Sequence, residues 1–384
     1  MTVRTLVFFG PELNDKSMFD LPAASAWSVV STPAPTQGLY RIQLNAGNNG
    51  AANIGPDVAI TADSHVAMMM REARFATDIT AGNVKTMMKT DMPSGGYGSL
   101  RWVGESGGSG EAHIGLYDTS NVQKGLSTST FAKDTDVSAW LHWDGVNAEL
   151  FINGVSEIKV ATTDKPTNSM VTLGENGNVG GQLHWRAGGL IDAATRAELY
   201  GAEDVEVDRL DPDGDTSEDD TTGVPDATDH YKNWDDFVSG GASDSDTSYN
   251  LFGQADHKQV STLTTHTPGQ TIRCAVHHNR GRAATAAKTG KAWARIKEGA
   301  NVAEVLLPNF GGSAYLNQMA VFDLAPDGGA WTQADVDALE AGLRSDADND
   351  VNIRISSLAI ELVSAGGPPA AAAGFAHSFG TIIG

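Results

Sequence analysis

Cysteine is almost missing from this chain. Its single copy, Cys274, has no second thiol to pair with, so no disulfide can form within the 384 residues and packing alone must hold the fold. Basic residues are scarce: 26 Lys and Arg stand against 48 Asp and Glu, for a net charge of −22. Nucleic acid is gripped by clustered Lys and Arg, so this balance argues against it as a partner. It argues equally against an anionic membrane surface. No apolar run reaches the roughly 18 residues of a membrane span. The N-terminal MTVRTLVFFG has one Arg and an apolar stretch too short for a signal peptide. The expectation is therefore synthesis in a cytoplasm, with no membrane insertion. Long helical patterns are few. Glycine is plentiful at 43 residues, which suits many turns.

The most regular stretch is Trp140 to Val160, WLHWDGVNAELFINGVSEIKV. Leu141 and Trp143 alternate with His142, and Asp144-Gly145 turns the chain. Ala148, Leu150 and Ile152 then alternate with Glu149 and Phe151, and Asn153-Gly154 turns it again. Asp-Gly and Asn-Gly pairs supply the positive φ of tight hairpins, so three antiparallel strands are predicted. Val3–Phe9 is a short apolar strand, and similar alternation marks Tyr40–Leu44, Val66–Met70, Leu100–Trp102 and Ile114–Leu116, separated by Gly, Asn, Asp, Pro and Ser clusters. Many short strands with frequent turns predict a sandwich or jelly roll. Asp192 reads as the N-cap of a short helix over residues 193–200, stopped by Gly201.

The fold class predicted is mainly β: two antiparallel, jelly-roll-like β-sandwich domains, each with a short helix towards its C-terminal side. Residues 1–202 form the first. Residues 203–248, opening with EDVEVDRLDPDGDTSEDD, lose hydrophobic periodicity and read as an acidic linker or irregular lead-in. Residues 249–365 form the second, with strands at Thr271–His277, Ala292–Ile296, Ala303–Leu307, Ala314–Leu324 and Val351–Val363. The clearest helix is WTQADVDALEAGLR. Thr332 is its N-cap with Asp335 three residues on, Trp331 and Val336 are its staple, and Val336, Leu339 and Leu343 make an apolar stripe. A phase slip in the last strand predicts a bulge near Ser356-Ser357. Residues 366–384, rich in Ala, Gly and Pro, cannot make a core and are expected to hang free or dock on a neighbouring subunit.

Candidate chemistry is thin. Gly104-Glu105-Ser106-Gly107-Gly108 fits G-x-S-x-G, with His65 upstream. The span from His65 to Ser106 is too short for two barrels, and no helix pattern follows, so a glycine-rich loop is the better reading. Asp211, Asp213 and Asp215 alternate as calcium ligands do, and calcium is the one metal the sequence suggests. Thr216 and Thr222 stand where an EF-hand needs Gly and Glu, so a solvated acidic loop is the rival reading. Asp346, Asp348 and Asp350 repeat the alternation. On a strand, Cys274 and His278 share one face and His277 takes the other, and no partner cluster at zinc spacing stands elsewhere, so a core or surface role is the better reading. The E-x-D-x-x-E strand motif of jelly-roll glycanases is absent, and no catalytic residue is assigned. Trp143 or Trp185 could stack on a sugar or pack in a core.

Two segments carry a resemblance. Residues about 60–200, through WLHWDGVNAELFINGV and GGQLHWRAGGLIDAATRAELYG, resemble a laminin-G or concanavalin-like domain. Residues about 205–363 resemble a module of tailed double-stranded DNA bacteriophage virion proteins. VDRLDPDGDTSEDDTTGVPDATDHYKNWDD, Asp246–Asn250 and FDLAPDGGAWTQADVDALEAGLR carry that likeness, with Ala325-Pro326-Asp327 where Asp-Pro is usual. The resemblance implies a homo-oligomeric virion part, a tail, fibre or head-decorating subunit, and not an enzyme. Its implied partners are other virion proteins and copies of itself. A glycan-binding adsorption module for host surface sugars is the alternative, and a polysaccharide-degrading enzyme a third reading.

Overall fold

In the computed structural model the Trp140 stretch forms the predicted meander. The structure describes residues 4–9, 27–30, 41–44, 50–54, 60, 65–105, 110–175, 182–185, 187–193, 205–234, 247–264, 271–285, 289–311, 315–346 and 352–365. Val137–Trp143 pairs with Asn147–Ile152, which pairs with Val155–Ala161. Gly145 (φ 79°), Asn153 (φ 47°) and Gly154 (φ 80°) take the positive angles the turns require. The meander ends a nine-stranded sheet, sheet 1, whose next strand is His65–Phe75. A seven-stranded sheet, sheet 2, packs against it and contains Val84–Thr90, Tyr97–Gly104 and Glu111–Asp118. Alternation decides which side chains meet. Met68, Met70, Leu141 and Trp143 join Leu100, Trp102, Ile114 and Leu116 in one core. Trp102 meets Phe75 edge-on at 5.0 Å and Phe131 at 5.9 Å.

A second sandwich follows the same plan. Sheet 3 has six strands and is centred on the 13-residue strands Thr271–Ala283 and Ile353–Ala365. Sheet 4 has five: Pro212–Asp219, Lys258–Leu263, Glu340–Ser345, Ala292–Glu298 and Asn301–Leu306. Their core gathers Leu343, Ile353, Ile355, Leu358, Ile360 and Leu362 with Phe252, Phe310 and Phe322. Arg280 faces Ser357 while Gly281 faces Ile355, so Ser356 is the extra residue of the predicted bulge.

Three expectations change. First, the acidic segment is no plain linker: Val205–Leu210 and Thr222–Val224 join sheet 3, and Pro212–Asp219 edges sheet 4. Ladder pairing does not need an apolar alternation along an edge strand, which is why periodicity missed them. Second, the Thr332–Asp335 capping box is present, with both reciprocal bonds, but the helix is only Gln333–Asp337. Glu340–Ser345 is a central strand, paired on both sides. Leu343 therefore enters the core from a strand. Gly342 shows why: a Cβ there would sit 1.8 Å from the Gln259 carbonyl oxygen, a backbone approach only glycine permits. Third, Asp192 caps no helix. It lies buried in the strand Ala187–Ala193, opposite Val66; residues 194–200 of that predicted helix lie outside the described residues.

The two sandwiches share a third core. Ala67, Met69, Trp140, Phe151 and Ile191, on the second face of sheet 1, pack against Cys274, Val276 and Val363 of sheet 3, with Met319 and Val321 at the margin. Trp140 and Phe151 stack at 4.4 Å. His142 and Glu149, the polar members of the meander's alternation, are 2% and 8% exposed. The layers therefore run 2, 1, 3, 4, and the middle two sheets are buried on both faces, as in sheets covered from two sides. Among the described residues no helix is long and apolar enough to cross a membrane.

Candidate binding cleft

The strands of sheet 2 place a row of side chains opposite to those of the core. Leu100 and Trp102 point inward, so Ser99 and Arg101 point out; Ile114 and Leu116 point inward, so Gly115 and Tyr117 point out. Arg101 lies over the Tyr117 ring, 4.6 Å from its centroid. Its Nε donates to Ser99 Oγ at 3.1 Å, and its Nη2 donates to Asn121 Oδ1. Glycine makes the stack possible, because a Cβ on Gly115 would meet Tyr117 Cε2 at 2.7 Å. The Tyr117 hydroxyl donates to Gln123 Oε1 at 2.9 Å.

The turn after Asp118 builds the wall. Asp118 Oδ1 accepts from the amides of Ser120 (2.9 Å) and Val122 (2.8 Å), and Lys124 Nζ lies 3.0 Å from Oδ2. Burial alone would push the Asp118 carboxyl up, but the Val122 and Ser120 amides and Lys124 hold it below the usual carboxylate range. Asn121 takes φ 65°, which asparagine tolerates, and so brings its amide over Arg101. On the far wall Asp91 accepts from Asn168 Nδ2 at 3.0 Å. Between the walls lies a cleft of about 260 Å³, lined by Lys89, Asp91, Ser99, Arg101, Asp118 and Asn121 among others. Burial raises the Tyr117 phenol, an effect that Arg101 partly offsets, so the ring stays neutral.

The lining interleaves donors (Lys89, Arg101, the Asn121 amide) with acceptors (Asp91, Asp118, Ser99). Two cations face two carboxylates. Such a cleft suits a small neutral group rich in hydroxyls, which both gives and takes hydrogen bonds. Asp118 itself does not suit general acid catalysis: a carboxyl held below its normal range by three partners does not carry a proton near neutrality.

The residues singled out from sequence lie elsewhere. Asp211, Asp213 and Asp215 are not gathered into one shell. Asp215 accepts the amides of His230 (2.6 Å) and Tyr231 (2.8 Å), Asp213 accepts from Thr262 Oγ1 (2.7 Å), and the Asp211 backbone pairs with Thr264. Burial raises the Asp215 carboxyl despite those amides. Among the described residues no three His, Cys, Asp or Glu side chains stand together as a metal would need. Asp346 accepts from Trp293 Nε1 at 3.0 Å; Asp348, Asp350 and Ser106 lie outside the described residues. His65 stacks on His142, with Nδ1 2.9 Å from its Nε2. Cys274 and His278 do share a face opposite to His277; His278 pairs with buried Glu361 at 3.0 Å, and His277 Nε2 donates to the Gly342 carbonyl. Trp143 and Trp185 are core residues, 0% and 1% exposed. The cleft residues carried one legible signal, the outward phase of Arg101 and Tyr117 on predicted strands.

No family profile matches the chain, and no curated protein matches it. Solved structures similar to it include a carbohydrate recognition domain (10% identity, TM-score 0.33, covering 50% of this chain and 97% of that one). Domain 4 of an extracellular arabinanase from Geobacillus stearothermophilus, in complex with arabinotriose, is another (12%, TM-score 0.32, covering 50% and 96%). A tandem CBM22 domain from Paenibacillus barcinonensis is a third (8%, TM-score 0.26, covering 95% and 98%). At such scores these likenesses assign no activity to this chain.

Proposed function

We propose that this protein binds a neutral glycan in the cleft of sheet 2 and does so as a non-enzymatic, homo-oligomeric part of a tailed-phage particle. The observation that carries the sugar reading is the cleft where Arg101, seated on the Tyr117 ring, stands with Asn121, Asp118 and Lys89. Fixed donors and acceptors orient hydroxyls without exchanging protons. Binding of host envelope sugars on a glycan array, by the wild type and by Arg101→Ala, tests it. Signal from the wild type that is lost in the variant is expected; equal signal, or none from either, removes the cleft from consideration. A chelator arm asks whether calcium takes part.

The virion reading rests on the resemblance of residues about 205–363 and is supported by the shared seam. Four stacked sheets form a stiff block, as an assembled part requires. Mass spectrometry of purified particles tests it, and absence of the chain from them would end it.

A further inference from the structure

Three described arginines of this chain sit on acids. Arg74 pairs with Asp136, Arg295 with Glu218 and Glu304, and Arg344 with Glu304 and Asp256. That is expected where 48 acidic residues surround 26 basic ones. Arg282 and Arg354 are placed differently. Arg282 and Arg354 stand directly opposite each other on the two long strands of sheet 3. Among the described residues neither has an acidic partner, and the Nε of each is buried with no hydrogen bond. Both side chains are half-buried.

Like charges facing each other across a ladder repel, so this pairing works against the fold unless something lies between the two. The surroundings hold the pair in place. Arg354 lies 4.4 Å over the Tyr249 ring, and Arg282 lies 5.0 Å over the Tyr315 ring, with Arg280 above that same ring at 5.6 Å. Flat rings beneath the guanidinium groups hold them in place. The guanidinium edge is a fork that matches two oxygens of one anion. The face also places the pair. It is the face of sheet 3 that also carries Cys274, Val276 and His278, and the pair stands further along the strand than the residues that dock on sheet 1.

We propose that Arg282 and Arg354, seated on Tyr315 and Tyr249, form an oxyanion-binding site that takes a carboxylate, sulfate or phosphate group. The site is separate from the cleft of sheet 2, and it selects for charge where the cleft is balanced. An anion there converts a repulsive cross-strand pair into a bridged one.

Titration of the full chain with inorganic sulfate, inorganic phosphate and glucuronate at constant ionic strength tests this, by calorimetry and by thermal melting. The wild type is compared with the double variant Arg282→Gln/Arg354→Gln. The expected result is saturable binding of at least one anion to the wild type, weakened at least tenfold in the variant. Whichever anion binds best identifies the source of the oxygens. A saturable rise in Tm should accompany binding in the wild type only, because general salt effects of sulfate act on both proteins alike. Without anion, the variant should melt at the same temperature as the wild type or higher, since a repulsion has been removed. Equal responses of both proteins to every anion would overturn the proposal. A variant that melts lower while the wild type shows no saturable binding would do the same, and would leave the arginines a packing role on the tyrosines.

Discussion

The two sandwiches share a plan and differ in what they bury. The first core is built from methionine and tryptophan: Met68, Met70, Met87, Met88, Trp102, Trp143 and Trp185. Unbranched thioethers fill irregular gaps between large rings. The second core is aliphatic and phenylalanine-rich, but it also holds His277, Asn279, Gln259 and Ser261 at 0% exposure. Their outer faces differ as well. Sheet 2 spaces its charges around a cleft. Sheet 4 locks its charges together: Glu218 grips Arg295 through two oxygens, Glu304 bridges Arg295 and Arg344, Arg344 reaches Asp256, and Lys297 pairs with Glu340 at 3.0 Å. The lesson is that charge on a sheet face is not by itself a site. Where each charge has a partner on the same face, nothing is left to recognise.

The largest predicted effect asks whether the sandwiches are two bodies at all. Val276 lies at 0% exposure in the seam between sheets 1 and 3. Val276→Asp would bury an unpaired carboxylate and is expected to cost about 3 kcal/mol or more in urea unfolding. If the sandwiches hung apart like beads, Val276 would face water and the change would cost almost nothing.

Next comes the polar interior of the second sandwich. Burial pushes the His277 imidazole down to about 4. An unfolded histidine titrates near 6.5. Between these values the unfolded chain takes up a proton that the folded chain refuses. Stability should therefore fall as pH drops from about 6.5 towards 4, by on the order of 3 kcal/mol in all, and then level off. His277→Gln should flatten that part of the profile relative to the wild type; an unchanged slope would assign it to other groups.

The cleft gives a smaller and purely functional effect. Arg101→Ala is expected to weaken sugar binding at least tenfold, about 1.4 kcal/mol, while Glu304→Gln on sheet 4 leaves binding unchanged. Loss in both would mean that the sheet faces communicate.

The smallest effect belongs to the ionic lattice. Glu304 is partly exposed, so Glu304→Gln should cost only about 1 kcal/mol. Burial raises the Glu304 carboxyl, but Arg344 and Arg295 more than reverse this and hold it below its ordinary value. Its contribution is full above the unfolded glutamate value of about 4.3 and is lost as pH falls through the depressed folded value. The wild type and the variant should therefore converge in stability only in acid.

Much of the local structure was legible from residue order. The Asp144-Gly145 and Asn153-Gly154 turns, the Thr332–Asp335 box and the bulge at Ser356 each depend on neighbours within a few residues. The helix that was expected to run on to Leu343 was not. Ala338 to Leu343 carry helical propensity, but two flanking strands outcompete it by satisfying every backbone group of Glu340–Ser345 at once. The cleft was half legible. Alternation turns Arg101 and Tyr117 outward, but nothing in their own strands tells that the Asp118–Val122 turn folds Asn121 back over them.

Composition and spacing alone determined that this chain is a β protein without disulfides, strongly acidic, with hairpins at known positions, because those properties are set by charge counts and by φ preferences of single residues. Only tertiary structure decided that the second face of sheet 1 is buried. His142, Glu149 and Phe151 alternate as a water-facing row does, and a row of that kind looks the same from sequence whether water or another sheet lies above it. Burial is a property of the neighbour, and the neighbour here is Val276 and Val363, far along the chain.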